Sequence, residues 1–428
     1  MQSSGTRPIA YACCDEGAGQ HRRTEMNDLS DGARERWGGR PCWAEIDLDA
    51  VAHNVRTLAA IAAPAEVYAI VKANAYGHGA VAVGQAAVEA GAAGLGVVCV
   101  DEGEELRLSG IEAPVLIVGH AEASEAERIV ELGLTPTVTS MQVAIALSRF
   151  AVARGVTQPI HVELESGLNR NGLLLDELVS FAEAVRRLPG IAIEGVYTHF
   201  AAAEEGDQTF TNAQFDALQA AAERLPWIPM RHCSASASVL GSPHMALNMV
   251  RCGLAVYGYY PAENGRTHEL RPALSLKSRI ARVLDVDAGA TVGYGRTWRA
   301  SRPSRIALVM CGYADGYRRA LSNRAQVLVR GKRAPIAGRI AMDMCMADVT
   351  DVDGASVGDE VTLVGLQGDA AVDADELAAL ADTISWEILA GISARVPRLY
   401  LRGGTVVART TLIDRMPVAV GQAEPVSR

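Results

Sequence analysis

Short apolar runs alternate with amphipathic helical patterns from about residue 44 to residue 258. Apolar runs of four to eight residues are typical of buried strands, and apolar positions three or four apart are typical of helices. The runs predict eight strands, at Val67–Val71, Leu95–Val100, Val115–Val118, Thr135–Thr139, Ile160–Leu164, Ile193–Tyr197, Pro229–Cys233 and Leu254–Gly258. The helical patterns lie at Ala80–Ala90, Asp101–Leu108, Glu122–Leu132, Met141–Ala153, Leu175–Leu188 and Asn212–Leu225.

This alternation favours an α/β fold in which eight parallel strands and their helices form a (β/α)8 TIM barrel. A doubly wound open sheet is the alternative, but its GxGxxG turn is absent after the first strand. After about Arg271 the pattern changes to strands with few helices, which predicts a mostly β domain with one helix near Asp375–Leu389. The strands of this domain are predicted at Leu274–Val286, Arg305–Met310, Gln326–Arg330, Met346–Val349, Glu360–Val364 and Leu399–Leu401.

These patterns divide the chain into a barrel at residues 41–271 and a β domain at residues 272–414. Residues 1–40 have neither periodicity nor the apolar core of a signal peptide, and we expect a disordered N-terminal extension. Residues 415–428, which contain two prolines, are predicted to be a flexible tail.

Composition narrows the range of partners. The chain has 428 residues, 49% of them hydrophobic, but no apolar run of about 18 residues, so no membrane span is predicted. Its net charge of −10 does not favour binding to nucleic acid, which is itself negatively charged. The eight cysteines are scattered without CxxC pairs. We therefore predict reduced thiols, a cytoplasmic location and no metal site.

One lysine stands out at the end of the first predicted strand. Of the 40 Lys and Arg residues only Lys72, Lys277 and Lys332 are lysine, so arginine serves wherever a plain positive charge is sufficient. Unlike arginine, a lysine can lose its proton and bind a carbonyl group covalently. An ordinary lysine at a strand edge is the alternative. We interpret Lys72 as the residue that carries a carbonyl cofactor.

Other polar residues follow the later strands at the same predicted rim, where barrel enzymes place their catalytic groups. Singly, each could be a satisfied core histidine or a surface charge, but their shared position favours a site. Ser236 and the Gly253–Leu254 turn offer a small hydroxyl and free amides, which suit a phosphate. The rim residues are Glu163, Glu165, Arg170, His199, His232, Ser236, Arg251, Gly253 and Leu254.

The run Val71–Gly79, VKANAYGHG, resembles the pyridoxal-phosphate lysine motif of alanine racemases, fold-type III enzymes, and the likeness extends from about Trp43 to Val407. The resemblance implies pyridoxal 5'-phosphate bound to Lys72, with Tyr76 touching the phosphate. It also implies that Arg251 faces the ring nitrogen. Because arginine keeps its proton, the ring would be a weaker electron sink, which disfavours transamination.

Racemisation needs a second base on the opposite face of the substrate, because one base would return the proton to the same side. The resemblance implies that this base is Tyr294, in TVGYGRT, and that it reaches the lysine of the other subunit of a homodimer with shared active sites. His199 would tune this tyrosine. The implied reaction is the two-base interconversion of L-alanine and D-alanine, which supplies D-alanine for peptidoglycan.

The resemblance assigns further residues to the substrate. Tyr313 would gate access to the site, and Met342 and Asp343 would border the substrate carboxylate together with Arg170. Two positions depart from the family. Glu163 stands where many relatives carry a carbamylated lysine, and we expect its carboxylate to help hold Arg170. Ala394 stands where many relatives have a phosphate-binding tyrosine, and we expect room there for side chains larger than that of alanine.

Three other functions stay open on the sequence alone. A serine or broad-specificity racemase would differ only in the size of its pocket. A basic amino-acid decarboxylase shares the barrel and cofactor, but needs acidic groups for a cationic side chain and a cysteine as proton donor. A cofactor carrier that binds without catalysis would normally end after the barrel, so the β domain argues against it.

Overall fold

A computed structural model of the chain describes residues 40–261 and 266–415. The predicted extension and tail, at residues 1–40 and 415–428, lie outside these ranges apart from Arg40 and Arg415. The first elements are strand β1 (Cys42–Asp47) and helix α1 (Leu48–Ala62). The Asp47 carboxylate caps α1 by accepting hydrogen bonds from the amides of Asp49 and Ala50.

Eight parallel strands close into the predicted barrel. Backbone pairing joins five of them into one sheet and three into another. The parallel bridges Thr137–His161 and Ala235–Arg251 join the two sheets at both edges and close the ring. The strands are β2 (Glu66–Ile70), β3 (Gly94–Val97), β4 (Val115–Ile117), β5 (Thr135–Pro136), β6 (Gln158–Glu163), β7 (Ile191–Tyr197), β8 (Met230–His232) and β9 (Met249–Cys252).

Helices surround this barrel close to the predicted positions. The helices alternate with the strands because their apolar faces bury the apolar outer surface of the ring. They are α2 (Ala80–Glu89), α3 (Val100–Leu108), α4 (Ala126–Glu131), α5 (Met141–Arg154), α6 (Leu175–Val185), α7 (Thr209–Arg224) and α8 (Ser236–Gly241).

The eighth strand differs from the prediction. The apolar run Leu254–Gly258 was expected to form it, but residues Leu254–Tyr257 form a 3-10 turn. The strand is the preceding segment, Met249–Cys252, which pairs with β2 and contains Arg251. Arg251 therefore lies within the barrel wall rather than before it.

The C-terminal half forms the predicted β domain around the long strand β10, which pairs with β1, β13 and β17. The strands are β10 (Leu274–Val286), β11 (Thr291–Val292), β12 (Trp298–Arg299), β13 (Ser304–Val309), β14 (Gln326–Val329), β15 (Lys332–Pro335), β16 (Cys345–Asp348), β17 (Glu360–Gln367), β18 (Ala370–Val372), β19 (Arg398–Arg402) and β20 (Thr405–Thr410).

Two features of this half were not predicted. Strand β1, which the predicted limits assign to the barrel, pairs with β10 and, in parallel, with β19. The single helix expected near Asp375–Leu389 is two helices, α9 (Ala374–Ala381) and α10 (Ser385–Ala390). They are separated at Asp382, whose φ of 57° ends α9 in the left-handed region. We keep 41–271 and 272–414 as proposed domain limits, with β1 crossing into the second sheet.

Within residues 40–261 and 266–415, no helix is long and apolar enough to cross a bilayer.

Candidate active site

Lys72 lies directly after β2 at the rim of the barrel, on a turn with an unusual backbone. Ala73, Asn74 and Ala75 all have φ of 53°, in the left-handed region that costs L-residues energy. The Glu102 carboxylate, at the start of α3, holds the turn by accepting hydrogen bonds from the amides of Ala73 at 2.6 Å and Val98 at 2.8 Å. Strained backbone that is held in this way is typical of functional sites.

The same turn packs closely against the β domain. Gly77 follows it with φ of 83°, and a Cβ at Gly77 would lie 2.3 Å from the carbonyl oxygen of Leu389 in α10. Glycine is therefore required by both the backbone and the contact. The packing brings Trp386, on α10, to the cavity above Lys72.

A cavity of about 440 Å³ lies at this rim. It gathers residues from β2, β7 and β9 and from the loops that follow β2, β4, β6, β7, β8 and β9, as expected for the carboxyl end of a parallel barrel. Eight of the predicted site residues line it, namely Lys72, Tyr76, Arg170, His199, Ser236, Arg251, Gly253 and Leu254.

The electrostatics of the cavity favour a neutral amine on Lys72. Burial lowers the pKa of Lys72, the positive charge of Arg170 lowers it further, and Glu102 partly opposes both effects. Desolvation and a neighbouring cation both disfavour the ammonium form. The neutral amine is the form that can attack a carbonyl or accept a proton.

Arg251 is buried, with 4% exposure, and is surrounded by acceptors. Its guanidinium donates to the carbonyl oxygen of Thr198 at 2.9 Å, and hydrogen-bonds Nδ1 of His232 and, at 3.2 Å, Nδ1 of His199. It also lies 4.7 Å from the centre of the Tyr197 ring. Burial lowers the pKa of Arg251, but an arginine starts so high that it stays charged at neutral pH.

The histidines of the site are neutral. Burial lowers the pKa of His199 to about 3, with further lowering by Arg251, Arg170 and Lys72. Behind it, His232 hydrogen-bonds His161 at 2.8 Å between Nε2 and Nδ1. Burial also lowers the pKa of His161, to about 3. His199 and His232 can therefore accept hydrogen bonds from Arg251 without competing for its charge.

A set of donors suited to phosphate lies on the other side of the cavity. The Ser236 hydroxyl accepts hydrogen bonds from the amides of Gly253 at 2.9 Å and Ala255 at 3.2 Å. A Cβ at Gly253 would lie 2.5 Å from the Tyr76 hydroxyl, so Tyr76 stands directly over the Gly253 backbone. Hydroxyls and amides gathered in this way bind phosphate oxygens. With a lysine of lowered pKa and a buried arginine in the same cavity, the residues fit pyridoxal phosphate.

The Glu163 carboxylate does not pair with Arg170 directly. Within the described part of the chain, it forms no ion pair with Arg170 and instead accepts hydrogen bonds from Nδ2 of Asn171 at 2.8 Å and the Tyr197 hydroxyl at 3.2 Å. Burial raises the pKa of Glu163, while the charges of Arg251 and Arg170 and the two hydrogen bonds lower it. The reason is geometric, because the Asn171 side chain points back to β6 while Arg170 lines the cavity.

The remaining predicted residues lie away from the Lys72 cavity of their own chain. Tyr294, Tyr313 and Met342 are 72%, 40% and 53% exposed on the β domain. Asp343 accepts a hydrogen bond from Arg395 at 2.8 Å. A single chain thus brings Lys72, Arg170 and Arg251 together, whereas these four residues are not among those that line its cavity.

Ala394 was expected to widen the pocket, but it is exposed and is not among the residues that line the cavity. The half-buried Trp386 occupies the cavity wall on the side of the β domain. The expected room for larger side chains therefore does not follow from Ala394 within this chain.

Sequence reasoning missed several residues of the site. Glu102 gave a weak signal, as an acid in the first turn of a helix, but its role in holding the Lys72 turn was not apparent. Tyr197 and His161 were read as ordinary strand residues. Trp386 lies in the helix predicted near Asp375–Leu389, where nothing in the pattern places it at the cavity. All four act through contacts between segments distant in sequence.

One group of side chains has the composition of a metal site. Cys42, Cys311 and Asp315 place possible ligand atoms within 4.8 Å of one another. The Asp315 carboxylate, however, already accepts hydrogen bonds from Arg40, Arg395 and the Gly312 amide. Because these donors use the oxygens that a cation would need, we assign no metal to this group.

Comparison with known proteins gives one consistent result. The family model of the alanine racemase N-terminal domain matches residues 46–261, and that of the C-terminal domain matches residues 273–400. The alanine racemase of Desulfosudis oleivorans is 44% identical over 400 residues, which cover 90% of this chain and 100% of the relative. That of Methanococcus maripaludis is 40% identical over 369 residues, covering 84% and 99%.

Solved structures agree with this result. The alanine racemase from Bacillus anthracis with bound L-Ala-P superposes with a TM-score of 0.82 at 35% identity, covering 88% of this chain and 99% of the other. The enzyme from a D-cycloserine-producing Streptomyces lavendulae gives a TM-score of 0.79 at 38% identity, covering 85% and 98%.

Proposed function

Because the chain belongs to the alanine racemase family of amino-acid isomerases, we propose that it interconverts L-alanine and D-alanine with pyridoxal 5'-phosphate and two bases. Lys72 is the base on one face, and Tyr294 of a partner subunit is the base on the other. The observation that carries the proposal is the cavity around Lys72, which unites a lysine of lowered pKa, Arg170, Arg251 and a phosphate cradle.

Different residues would hold the phosphate, the carbonyl carbon and the ring nitrogen of the cofactor. The Ser236 and Tyr76 hydroxyls and the amides of Gly253 and Leu254 would bind the phosphate, and Lys72 would bind the carbonyl carbon. Arg251 would face the ring nitrogen. When bound, pyridoxal phosphate withdraws electrons from the substrate Cα and makes its hydrogen acidic.

The other residues would orient the substrate and move its proton. Arg170, which lines the cavity, would hold the substrate carboxylate, with Met342 and Asp343 from the partner at its border and Tyr313 at the access route. In its unprotonated form the Lys72 amine would take the Cα proton on its own face, and in its protonated form it would return the proton. Arg251 would keep its charge throughout, since its acceptors are neutral and it does not give up a proton.

The need for a partner is supported by the tyrosines that the cavity contains. Among the described residues, Tyr76 and Tyr197 line it, and burial raises the pKa of Tyr76 to about 12 and raises that of Tyr197 further. Both are therefore poor bases at neutral pH. Burial also leaves His199 a weak base. The exposed Tyr294 is free to enter the site of another chain, which His199 would then help to tune.

The biological setting is part of the same proposal. We propose a cytoplasmic homodimer that supplies D-alanine for peptidoglycan. All cysteines in the described part of the chain are free thiols, which agrees with a reducing compartment. The alternative of a serine or broad-specificity racemase is not favoured, because the compared relatives are alanine racemases and Ala394 lies outside the cavity.

A chiral assay of the purified protein with a panel of amino acids, with and without added pyridoxal phosphate, tests the function. We expect cofactor-dependent racemisation with alanine as the best substrate. Lys72→Ala should lose both the activity and the covalent cofactor adduct. Lys332→Ala, which removes an exposed lysine paired with Asp353, is the matched control and should keep both. A wild type that binds no cofactor or leaves alanine unchanged would refute the proposal.

A further inference from the structure

Glu163 is a buried carboxylate, 2% exposed, at the end of β6. A single oxygen, Oε2, accepts both the Asn171 side-chain amide at 2.8 Å and the Tyr197 hydroxyl at 3.2 Å. Buried carboxylates without a directly bonded cation are costly, and they persist where their hydrogen bonds do specific work. The two donors lead to different parts of the cavity.

The first donor belongs to the loop that carries Arg170. Asn171 follows Arg170 directly, and the loop returns to β6 through the Leu173 amide, which donates to the Glu163 carbonyl oxygen at 2.9 Å. At the other end of the loop, the Glu165 carboxylate accepts the amides of Gly167 and Arg170. The Glu163–Asn171 bond therefore fixes the backbone beside Arg170 from the inner side of the barrel.

The second donor supports Arg251. The Tyr197 hydroxyl is held by Glu163 and by Thr137, whose Oγ1 lies at 2.9 Å. Its ring lies under the Arg251 guanidinium at 4.7 Å and is stacked on His232 at 4.6 Å with an angle of 12° between the rings. Because the hydroxyl is fixed, the ring presents a fixed face to the cation.

From these contacts we propose that Glu163 is a positioning residue that couples the loop of Arg170 to the guanidinium of Arg251. One carboxylate oxygen thereby sets both the arginine that would bind the substrate carboxylate and the arginine that would face the cofactor ring. This inference rests on the proposed function, because it takes the roles of both arginines from it.

Three single variants separate the contact of Glu163 with Asn171 from its contact with Tyr197. Asn171→Leu removes the loop donor, and should raise KM for alanine about tenfold with kcat within about threefold of wild type, because a bond to a charged acceptor is lost. Tyr197→Phe keeps the ring but removes its anchor, and should lower kcat about tenfold with little change in KM. Glu163→Leu removes the acceptor and should change both constants, whereas Glu163→Gln, whose amide oxygen still accepts, should change them less.

Double variants test the coupling. Glu163→Leu combined with Asn171→Leu should raise KM no more than the larger single change, because both remove the same interaction. Glu194→Gln is the control, since it removes an exposed carboxylate from the neighbouring strand β7, and should match wild type. A purely structural role of Glu163 would lower the melting temperature and leave the kinetic constants of the folded enzyme unchanged.

The inference is overturned if Glu163→Leu has wild-type constants, or if its effect on KM and that of Asn171→Leu multiply in the double variant. Both results require a wild type that racemises alanine. A wild type without this activity would instead refute the proposed function, so the two failures are distinguishable.

Discussion

Replacing Gly253 by alanine tests the phosphate cradle at its tightest contact. The new Cβ would lie 2.5 Å from the Tyr76 hydroxyl and 3.2 Å from Cζ of the same ring, whereas ordinary contacts begin at 3.4 Å. The hydroxyl must therefore move by about 0.9 Å, the difference between 2.5 and 3.4 Å. Tyr76 is buried with its ring centre 4.9 Å from that of Tyr257, so the movement is resisted.

The expected magnitude follows from two costs. Overpacking a closed site costs about 1–3 kcal/mol, and losing the Tyr76 hydrogen bond to a charged phosphate costs about 1.5–3 kcal/mol. Cofactor binding is weakened by the lost hydrogen bond and by the part of the overpacking cost that arises only when the phosphate binds. We expect the dissociation constant of pyridoxal phosphate to rise about ten- to a hundredfold.

The assay is titration of the cofactor-free protein with pyridoxal phosphate, followed by the visible absorption of the bound cofactor, with thermal unfolding as a check on the fold. Gly206→Ala is the matched control, because a Cβ there meets no atom within 4 Å. Adding Tyr76→Phe to Gly253→Ala removes the clashing oxygen and should weaken binding no further. Wild-type affinity in Gly253→Ala, or additive losses in the double variant, would refute the reasoning.

Three other predictions concern charge and pocket size. Arg170→Gln should raise the pKa of Lys72, because the charge of Arg170 lowers it. The rate of covalent cofactor binding, measured against pH, should then begin to increase at a higher pH than in the wild type. An unchanged dependence of this rate on pH would contradict the prediction. The free energy of unfolding should fall as the pH drops below about 6.5, the ordinary pKa of histidine in an unfolded chain. In the folded protein, burial lowers the pKa values of His78, His161 and His199 to about 4, 3 and 3. The unfolded chain therefore binds protons that the folded chain does not, and acid favours unfolding. Urea unfolding between pH 7 and 5 should show this slope, reduced by about one proton in His78→Gln, and a flat profile would count against it. Trp386→Ala should raise the turnover of serine relative to alanine in the chiral assay, whereas Ala394→Tyr should affect both equally; the reverse pattern would restore Ala394 to the substrate pocket.

The sequence predicted the barrel because its strands are buried on both faces and read as continuous apolar runs. It failed at the eighth strand for the same reason. The segment Met249–Cys252 contains Arg251, whose charge interrupts the apolar pattern, while the more apolar Leu254–Tyr257 forms a 3-10 turn. The functional residue itself thus obscured the strand that carries it.

The other features that the sequence did not predict depend on contacts between segments that are distant in the chain. Strand β1 pairs with β10 and β19, more than two hundred residues later, and nothing in its own pattern reveals these partners. The rim residues of the site were predicted because strand ends place them together. The choice of Asn171 rather than Arg170 as the partner of Glu163 was not predictable, since it depends on how the loop closes.

The most direct test of the central claim, that one site uses Lys72 and the partner's Tyr294, is complementation between two inactive variants. Lys72→Ala and Tyr294→Phe are mixed under conditions of demonstrated subunit exchange, and racemisation of alanine is measured. Each mixed dimer of a symmetric pair has one site with both changes and one intact site, so random exchange should restore about a quarter of wild-type activity. A mixture of Lys72→Ala with the double variant should stay inactive. Full exchange without recovery would contradict the account, because Lys72 and Tyr294 would then act within one chain.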